Sequence, residues 1–427
     1  MPPPPPPPPP MPELTEDLVR EILHCLPPDD PAALLRAGLV CKRWRRILAD
    51  PAFRRRHRAL HPTPPVIGFI LILRGNAPYA SRFVPNNPAS GRPAARDLPG
   101  WLVLDCRHGR ALFATQGPGL ILWDPLTDEQ RRLPRPWALP TPGASHFNAA
   151  VLCAAAGEGC DHRGCRGGPF RVAFIWTRHV DGGCITSACF YSSETGDWSM
   201  VASVQHPYVS VNLPPCTSAL VGDAIHFRGH QSHIFKYQFG VQLLSVIGLP
   251  VRSGYREALS SPMSMEDGRL GFASVKEETS LSLCLWSRET APGGVAQWVP
   301  GRAIELEPLL PDGAVPSPLL PSVGHCPRAF VLGFAEGTDT IFLGTWAPPA
   351  VYMVQLNSGS ARKLFDDCTL VFAYTSFCIP VIDAGSTSEC PREGVSSARQ
   401  TQVADAQASK RCRKCVVVLS NCIHWIL

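Results

Sequence analysis

Charge is scarce in this chain: Asp, Glu, Lys and Arg supply only 18% of its 427 residues, against about a quarter in ordinary globular proteins. The net charge of +5 is too small to argue for nucleic acid by itself. No window reaches the ~18 consecutive apolar residues that a membrane helix needs. Even Val416 to Leu427 is too short, and Asn421 and His424 interrupt it. A secretory leader, with a basic start and then an apolar run, is also missing, because Met1 is followed by nine prolines. Cysteine is plentiful at 17 residues, but the count is odd and no leader accompanies it. The thiols therefore read as small buried apolar residues rather than a disulfide framework. Signatures of catalysis are missing too: there is no Walker loop and no H-E-x-x-H. Gly143-Ala144-Ser145-His146 comes nearest to G-x-S-x-G and fails at the second Gly. Isolated histidines such as His226 and His230 read as loop or strand residues rather than general bases. The expectation is a soluble intracellular protein, cytoplasmic and/or nuclear, that is not an enzyme and carries no cofactor.

What the chain does have is apolar residues, 45% of the total, together with 46 prolines and 35 glycines. That mixture suits many short strands and turns better than a helical bundle, and the length allows two or three domains. Charge is unevenly placed. Residues 11–30 carry six acids against Arg20, and residues 31–61 carry nine bases against Asp50, which leaves the other 376 residues nearly neutral.

Residues 12–61 hold the helical pattern. Thr15 followed by Glu16 and Asp17 supplies an N-cap and favourable first-turn charges. Leu18, Ile22 and Leu26 recur at helical spacing, with Val19 and Leu23 widening the stripe, and Pro27-Pro28 stops it. Asp29 or Asp30 can cap a second helix that has Pro31 in its first turn and Leu34, Leu35 and Leu39 on its buried side. A third segment places Val40, Trp44, Ile47 and Leu48 on one face with Arg43, Arg45 and Arg46 opposite. Asp50-Pro51 then restarts the chain into Ala52-Phe53 and a basic tail. Three short helices have too little interior to bury all that Leu, Ile and Trp, so a partner surface is expected to cover the remainder.

After Pro62 short apolar runs alternate with Gly, Pro, Asp and Asn, from Val66–Leu73 to Val351–Leu356. More than a dozen such runs predict an all-β domain. They also repeat. Aromatics at the end of a strand precede a polar turn at Trp123, Tyr191, Tyr237, Trp286 and Tyr352, at intervals of 68, 46, 49 and 66 residues. Propeller blades repeat every ~40–50 residues, and the two long intervals contain the loop-like insertions 157–169 and 308–327. A preceding unit, Val66 to Pro85, would make a sixth blade. The fold class predicted is mainly β, with a small N-terminal three-helix unit followed by a β-propeller of six blades. Trp123, Tyr191, Trp198, Trp286 and Trp298 read as internal blade packing.

Two stretches resemble known families. Leu14-Thr15-Glu16-Asp17-Leu18, Glu21-Ile22-Leu23, Leu26-Pro27, Leu34-Leu35-Arg36, Val40-Cys41-Lys42-Arg43-Trp44-Arg45 and Asp50-Pro51-Ala52-Phe53 resemble the F-box in order and spacing. One departure is Thr15, where the family usually has Pro; a capping Thr starts the helix equally well. Gly68-Phe69, Arg82-Phe83-Val84-Pro85, Asp105-Cys106-Arg107-His108-Gly109-Arg110-Ala111-Leu112, Trp123-Asp124-Pro125-Leu126-Thr127 with Leu133-Pro134, and Phe372 to Phe377 before Pro380 look like the F-box-associated β domain of plant F-box proteins. The resemblance implies a polyproline leader at 1–11, an F-box at 12–61, a β-propeller at 62–380 and a disordered tail at 381–427. It implies docking to a Skp-type adaptor, and through it to a cullin, with apolar contacts from Leu14, Leu18, Ile22, Leu23, Leu26, Pro27, Leu34, Val40, Cys41 and Trp44, some shared with the internal core. The chain would then be the substrate-receptor subunit of a ubiquitin ligase, with the propeller holding a protein target. A module outside any ligase and a propeller enzyme are the alternatives.

Other clusters compete with blander readings. Lys42, Arg43, Arg45, Arg46, Arg54, Arg55, Arg56 and Arg58 read as nucleic-acid contacts, as an import signal, or as a solvated face that steers an acidic partner. No aromatics are interleaved for base stacking, so no nucleic acid is expected. Cys160, His162 and Cys165 with Cys153 nearby, and Cys412 and Cys415 with Cys422 and His424, suggest zinc. Neither set has the two matched pairs usual for structural zinc, so no metal is expected. The polyproline reads as a disordered leader or a ligand for a proline-binding module.

Overall fold

The computed structural model describes residues 14–377 except 27–30, 62, 73–79, 88–92, 117–118, 137–145, 156–159, 161, 163–164, 208–215, 230–232, 250–260, 278–279, 292–293, 316–327, 347 and 367–369. The polyproline leader, the Pro27-Pro28 stop, the tail and its Cys412-to-His424 cluster lie outside the described residues. Two compact units emerge, a helical one before Thr63 and a strand-built one spanning Thr63–Phe377.

The helical unit comprises α1 (Glu16–His24), α2 (Pro31–Val40), α3 (Lys42–Ala49) and α4 (Pro51–Leu60). Thr15 caps α1 as expected, its side chain accepting from the Leu18 amide. Cys41, in extended conformation, separates α2 from α3, so Val40 closes α2 rather than opening the next helix. The expected basic tail is a fourth helix. Asp50 is its N-cap, its carboxylate accepting from the Ala52 amide at 2.8 Å, and Pro51 sits at the first turn. Val19, Leu23, Leu34, Ala37, Trp44, Ile47, Leu48 and Phe53 form the core.

The strand-built unit is a six-bladed β-propeller of four-stranded antiparallel sheets. Blade 1 holds β1 (Val66–Ile72), β2 (Ala80–Pro85) and β3 (Arg96–Pro99); blade 2 holds β4 (Trp101–Arg107), β5 (Arg110–Thr115), β6 (Leu120–Asp124) and β7 (Glu129–Leu133). Blade 3 holds β8 (His146–Cys153), β9 (Phe170–Val180), β10 (Gly183–Ser192) and β11 (Ala202–His206); blade 4 holds β12 (Ala219–Val221), β13 (Ala224–Arg228), β14 (His233–Gln238) and β15 (Leu243–Gly248). Blade 5 holds β16 (Ser261–Ser264), β17 (Leu270–Glu277), β18 (Leu281–Thr290) and β19 (Ala296–Glu305); blade 6 holds β20 (Ala329–Ala335), β21 (Thr340–Trp346), β22 (Pro349–Gln355) and β23 (Ser360–Phe365). The last strand, β24 (Leu370–Thr375), returns to blade 1 and pairs antiparallel with β1, Ile72 facing Leu370 and Gly68 facing Tyr374. It lies beside β4 and β20, the inner strands of the flanking blades, and so closes the ring.

The repeat aromatics take equivalent places: Trp123, Tyr191, Tyr237, Trp286 and Tyr352 all lie on the third strand of their blade. Three of the polar turns share one geometry, in which an amide bonds back four residues and its residue has positive φ. These are Asp128 to Asp124 (φ 60), Gly196 to Ser192 (φ 78) and Gly359 to Gln355 (φ 65). At Trp286 the expected turn is absent, since β18 runs on to Thr290. The run Ala219–Phe227 is two strands, split at Gly222 (φ 59). Inner strands are buried on both faces and read as continuous apolar runs, whereas outer strands such as Glu129–Leu133, with only Leu133 buried, carry no apolar signal.

Candidate functional site

Two regions carry chemistry. On the helical unit the ten predicted contact residues divide by burial. Leu23, Leu34 and Trp44 are buried in the core, Leu14, Ile22, Leu26 and Val40 are half-buried, and Leu18 and Cys41 are exposed; Pro27 is outside the described residues. Leu39, expected on the buried side of its helix, is 68% exposed, and Leu18 is 48% exposed. The packing explains this. α1 turns Val19 and Leu23 inward, so the Leu18–Ile22 side of its apolar stripe faces away from the core. Charge on the unit is largely internal. Arg20 binds both Glu16 and Asp50, Arg46 binds Glu16 and Arg56 binds Glu21. Arg45 and Arg54 donate to the Gly38 and Leu48 carbonyls. Four of the eight bases in the cluster are thus bonded within the unit, which weakens the reading of a phosphate-binding face.

Against Phe53 lies a histidine that the sequence did not single out. His57 is 1% exposed, and neither ring nitrogen has a hydrogen-bond partner. It packs against Phe53 at 5.9 Å and His24 at 6.0 Å, which stack on each other at 4.2 Å, with His61 at 4.5 Å. Burial, reinforced by His61 and His24, pushes it down to about 4.

In the propeller the inner strands converge on Arg107, at the end of β4. Its guanidinium pairs with Asp105 at 2.8 Å and with Glu336, and donates to the Ser218 hydroxyl and, at 2.7 Å, to the Ser218 carbonyl. Asp105 also accepts from the Val151 amide at 2.9 Å. One buried guanidinium therefore ties blade 2 to the Ser218 strand entry of blade 4 and to blade 6, and its carboxylate partner reaches blade 3. A bulge between Val103 and Asp105 aims the carboxylate inward. Burial raises Asp105 to about 6 despite Arg107. The cavity here, also lined by Thr217, Ser264 and Thr338, holds about 30 Å³, room for a water or two. It is a structural knot rather than a ligand pocket, and the paired carboxylates have no histidine among the described lining residues.

Tyr374, on the closing strand, donates to the Gly109 carbonyl (3.1 Å) and to Asp124 (3.0 Å), which also binds Arg166. Trp123 and Tyr191 are buried in the blades, as expected. Trp198 and Trp298 are half-buried, and each indole donates to a carbonyl of the preceding blade, Pro134 at 3.2 Å and Gly248 at 2.7 Å. Trp286 is half-buried beneath Lys276. Cys153, Cys160, His162 and Cys165 are brought together, their ligand atoms all within 4.8 Å of one another. The spacing argument had set this cluster aside. The ten described cysteines are thiols rather than disulfides.

Residues 11–56 match the F-box domain. The chain is similar to an F-box protein of Arabidopsis thaliana, 26% identical over 304 residues that cover 66% of this chain and 67% of the relative. Among solved structures it is similar to a chain of a nidogen/laminin complex (TM-score 0.37, 8% identity, 73% of this chain and 99% of that one). It is also similar to an oligogalacturonate lyase in complex with manganese (TM-score 0.36, 9% identity, 67% and 71%). Scores this low carry no functional argument. No helix among the described residues is long and apolar enough to cross a membrane.

Proposed function

We propose that the F-box of this chain docks onto a Skp-type adaptor, and through it a cullin, while the propeller holds a protein target for ubiquitination. The functional boundaries in this reading are 12–61 for the F-box and 62–380 for the propeller, and the setting is cytoplasmic and/or nuclear. The observation that carries it is the unburied apolar surface of the helical unit. With its own core complete, the unit still leaves Leu18 and Leu39 in water, a disposition that a partner surface relieves. Leu14, Ile22, Leu26, Val40 and Cys41 complete the docking patch, Leu39 joins it, and Leu23, Leu34 and Trp44 support it from inside. Catalysis belongs to other subunits. This chain contributes proximity, holding scaffold and target together and raising the effective concentration of a target lysine.

Because Leu18 and Leu39 lie largely outside the core, Leu18→Ala with Leu39→Ala should leave the unit folded. Burying the exposed parts of both side chains in a partner is worth about 2 kcal/mol, or ~30-fold in affinity. Tagged wild type should retain adaptor and cullin, and the double variant should lose them with an unchanged helical circular dichroism signal. Wild type that holds neither partner would end the ligase reading, and wild type that holds the adaptor without cullin would favour a module outside the ligase.

A further inference from the structure

The connection from β8 to β9 is built differently from its counterparts. β4 and β5 are joined by His108-Gly109, and β12 and β13 by Gly222-Asp223, but Cys153 and Phe170 are separated by residues 154–169. The described part of this insertion has no apolar core of its own. What holds it is polar: Gly168 N to Cys165 O at 3.0 Å, Ala154 N to Pro169 O at 3.0 Å, and the buried Arg110 guanidinium donating to the Cys165 and Gly168 carbonyls at 2.9 and 2.6 Å.

Into this frame the insertion turns two thiols and an imidazole, beside a third thiol at the end of β8. Cys153 is buried at the end of β8, and Cys160, His162 and Cys165 are half-buried. His162 reaches the group through a left-handed backbone (φ 55), uncommon for a residue other than glycine. Its Nδ1 lies 3.9 Å from Cys165 Sγ. In a tetrahedral zinc site, with metal–sulfur bonds of ~2.3 Å, ligand atoms sit roughly 3.5–3.8 Å apart. The distance already matches within a few tenths of an ångström, and the ligand atoms of the full set all lie within 4.8 Å of one another. His108 stacks on His162 at 4.0 Å, and its Nδ1 accepts the Cys153 amide, which braces two of the four ligands from one side.

We propose that Cys153, Cys160, His162 and Cys165 bind one zinc ion, which clasps the 154–169 insertion to blade 3. Thiolate sulfur and imidazole nitrogen are the donor set that zinc prefers. Four protein ligands leave no open position, so the ion is structural and supplies no catalysis. Binding forms three Zn–S bonds and one Zn–N bond and releases the three thiol protons to solvent. The resulting single negative charge sits beside Arg110, whose guanidinium already holds Cys165.

The test uses the full chain, purified under reducing conditions without added metal. Elemental analysis should find one zinc per chain in wild type and in Cys25→Ser, and none in Cys160→Ser with Cys165→Ser. Apoprotein titrated with cobalt(II) should develop the visible spectrum of a tetrahedral thiolate site and release three protons per metal. Chelation should make the chain cleavable by trypsin after Arg166. Zinc retained by the double variant is adventitious and overturns the proposal, as does wild type that neither contains zinc nor binds cobalt(II) in tetrahedral form. Thiols found paired as disulfides in freshly reduced protein overturn it as well. If the double variant fails to fold, the cobalt and proton titrations of wild type decide alone.

Discussion

Acid should unfold the helical unit through His57. Unfolded, an imidazole titrates near 6.5, whereas burial among Phe53, His24 and His61 holds the folded His57 down at about 4. The folded value is the depressed one. The stabilisation is therefore complete above pH 6.5, is lost as pH falls through the window to 4, and changes no further below it. At about 1.4 kcal/mol per pH unit, the whole traverse removes about 3 kcal/mol. A unit of fewer than ~50 residues has about 2–7 kcal/mol in all, so this one side chain commands much of its stability. His24, lowered chiefly by its own burial, adds in the same direction. The assay is the helical circular dichroism signal of the full chain between pH 7.5 and 4.5, beside His57→Phe, which keeps an aromatic ring in the stack and removes the titration. Wild type should lose helix within the window, and the variant should hold it to distinctly lower pH. Curves that fall together would refute the reasoning and shift the acid sensitivity to the carboxylates that bind Arg20 and Arg46. Adaptor binding should follow the same pH curve as the helix.

Two further outcomes follow from the propeller. Arg107→Met leaves buried Asp105 and half-buried Glu336 without their cation and should cost 3–5 kcal/mol, at about the size seen when one partner of a buried pair is removed; adding Asp105→Asn and Glu336→Gln should recover most of it, read as the thermal midpoint of the β signal. Tyr374→Phe removes the hydroxyl that bonds the Gly109 carbonyl and Asp124, and should cost about 1–3 kcal/mol with faster protease cleavage around the closing strand.

Much of this architecture was legible because it is local. Inner strands are apolar runs, the repeat aromatics fall on the third strand of five of the six blades, and Thr15 acts as a cap whose partner is three residues away. What escaped the sequence depends on tertiary placement. Outer strands such as Glu129–Leu133 face water and lose their apolar signature. The Leu18 and Leu39 exposures follow from which face each helix turns to its neighbours, and a stripe with Leu on two sides does not specify that. The fourth helix hid behind its arginines, although Asp50-Pro51 is a cap followed by a first-turn proline and could have been read as one. Arg107 meets Glu336 across 229 residues, and the thiol cluster mixes three close positions with one at the end of a strand; no fixed spacing encodes either.

The closing strand has a consequence for how the chain reaches its fold. Every other pairing in the propeller joins neighbours in sequence, whereas Val66 facing Thr375 spans 309 positions. Contacts of such separation form slowly, because the entropy of closing the loop is spent before they return any gain. Blades 2 to 6 can each zip as local meanders, while blade 1 waits with the inner edge of Val66–Ile72, an almost wholly apolar strand, unpaired. An exposed edge of that kind recruits strands from other chains. Leu370–Thr375 is thus a guard as well as a clasp: the sooner it arrives, the shorter the time in which one molecule can borrow a strand from another.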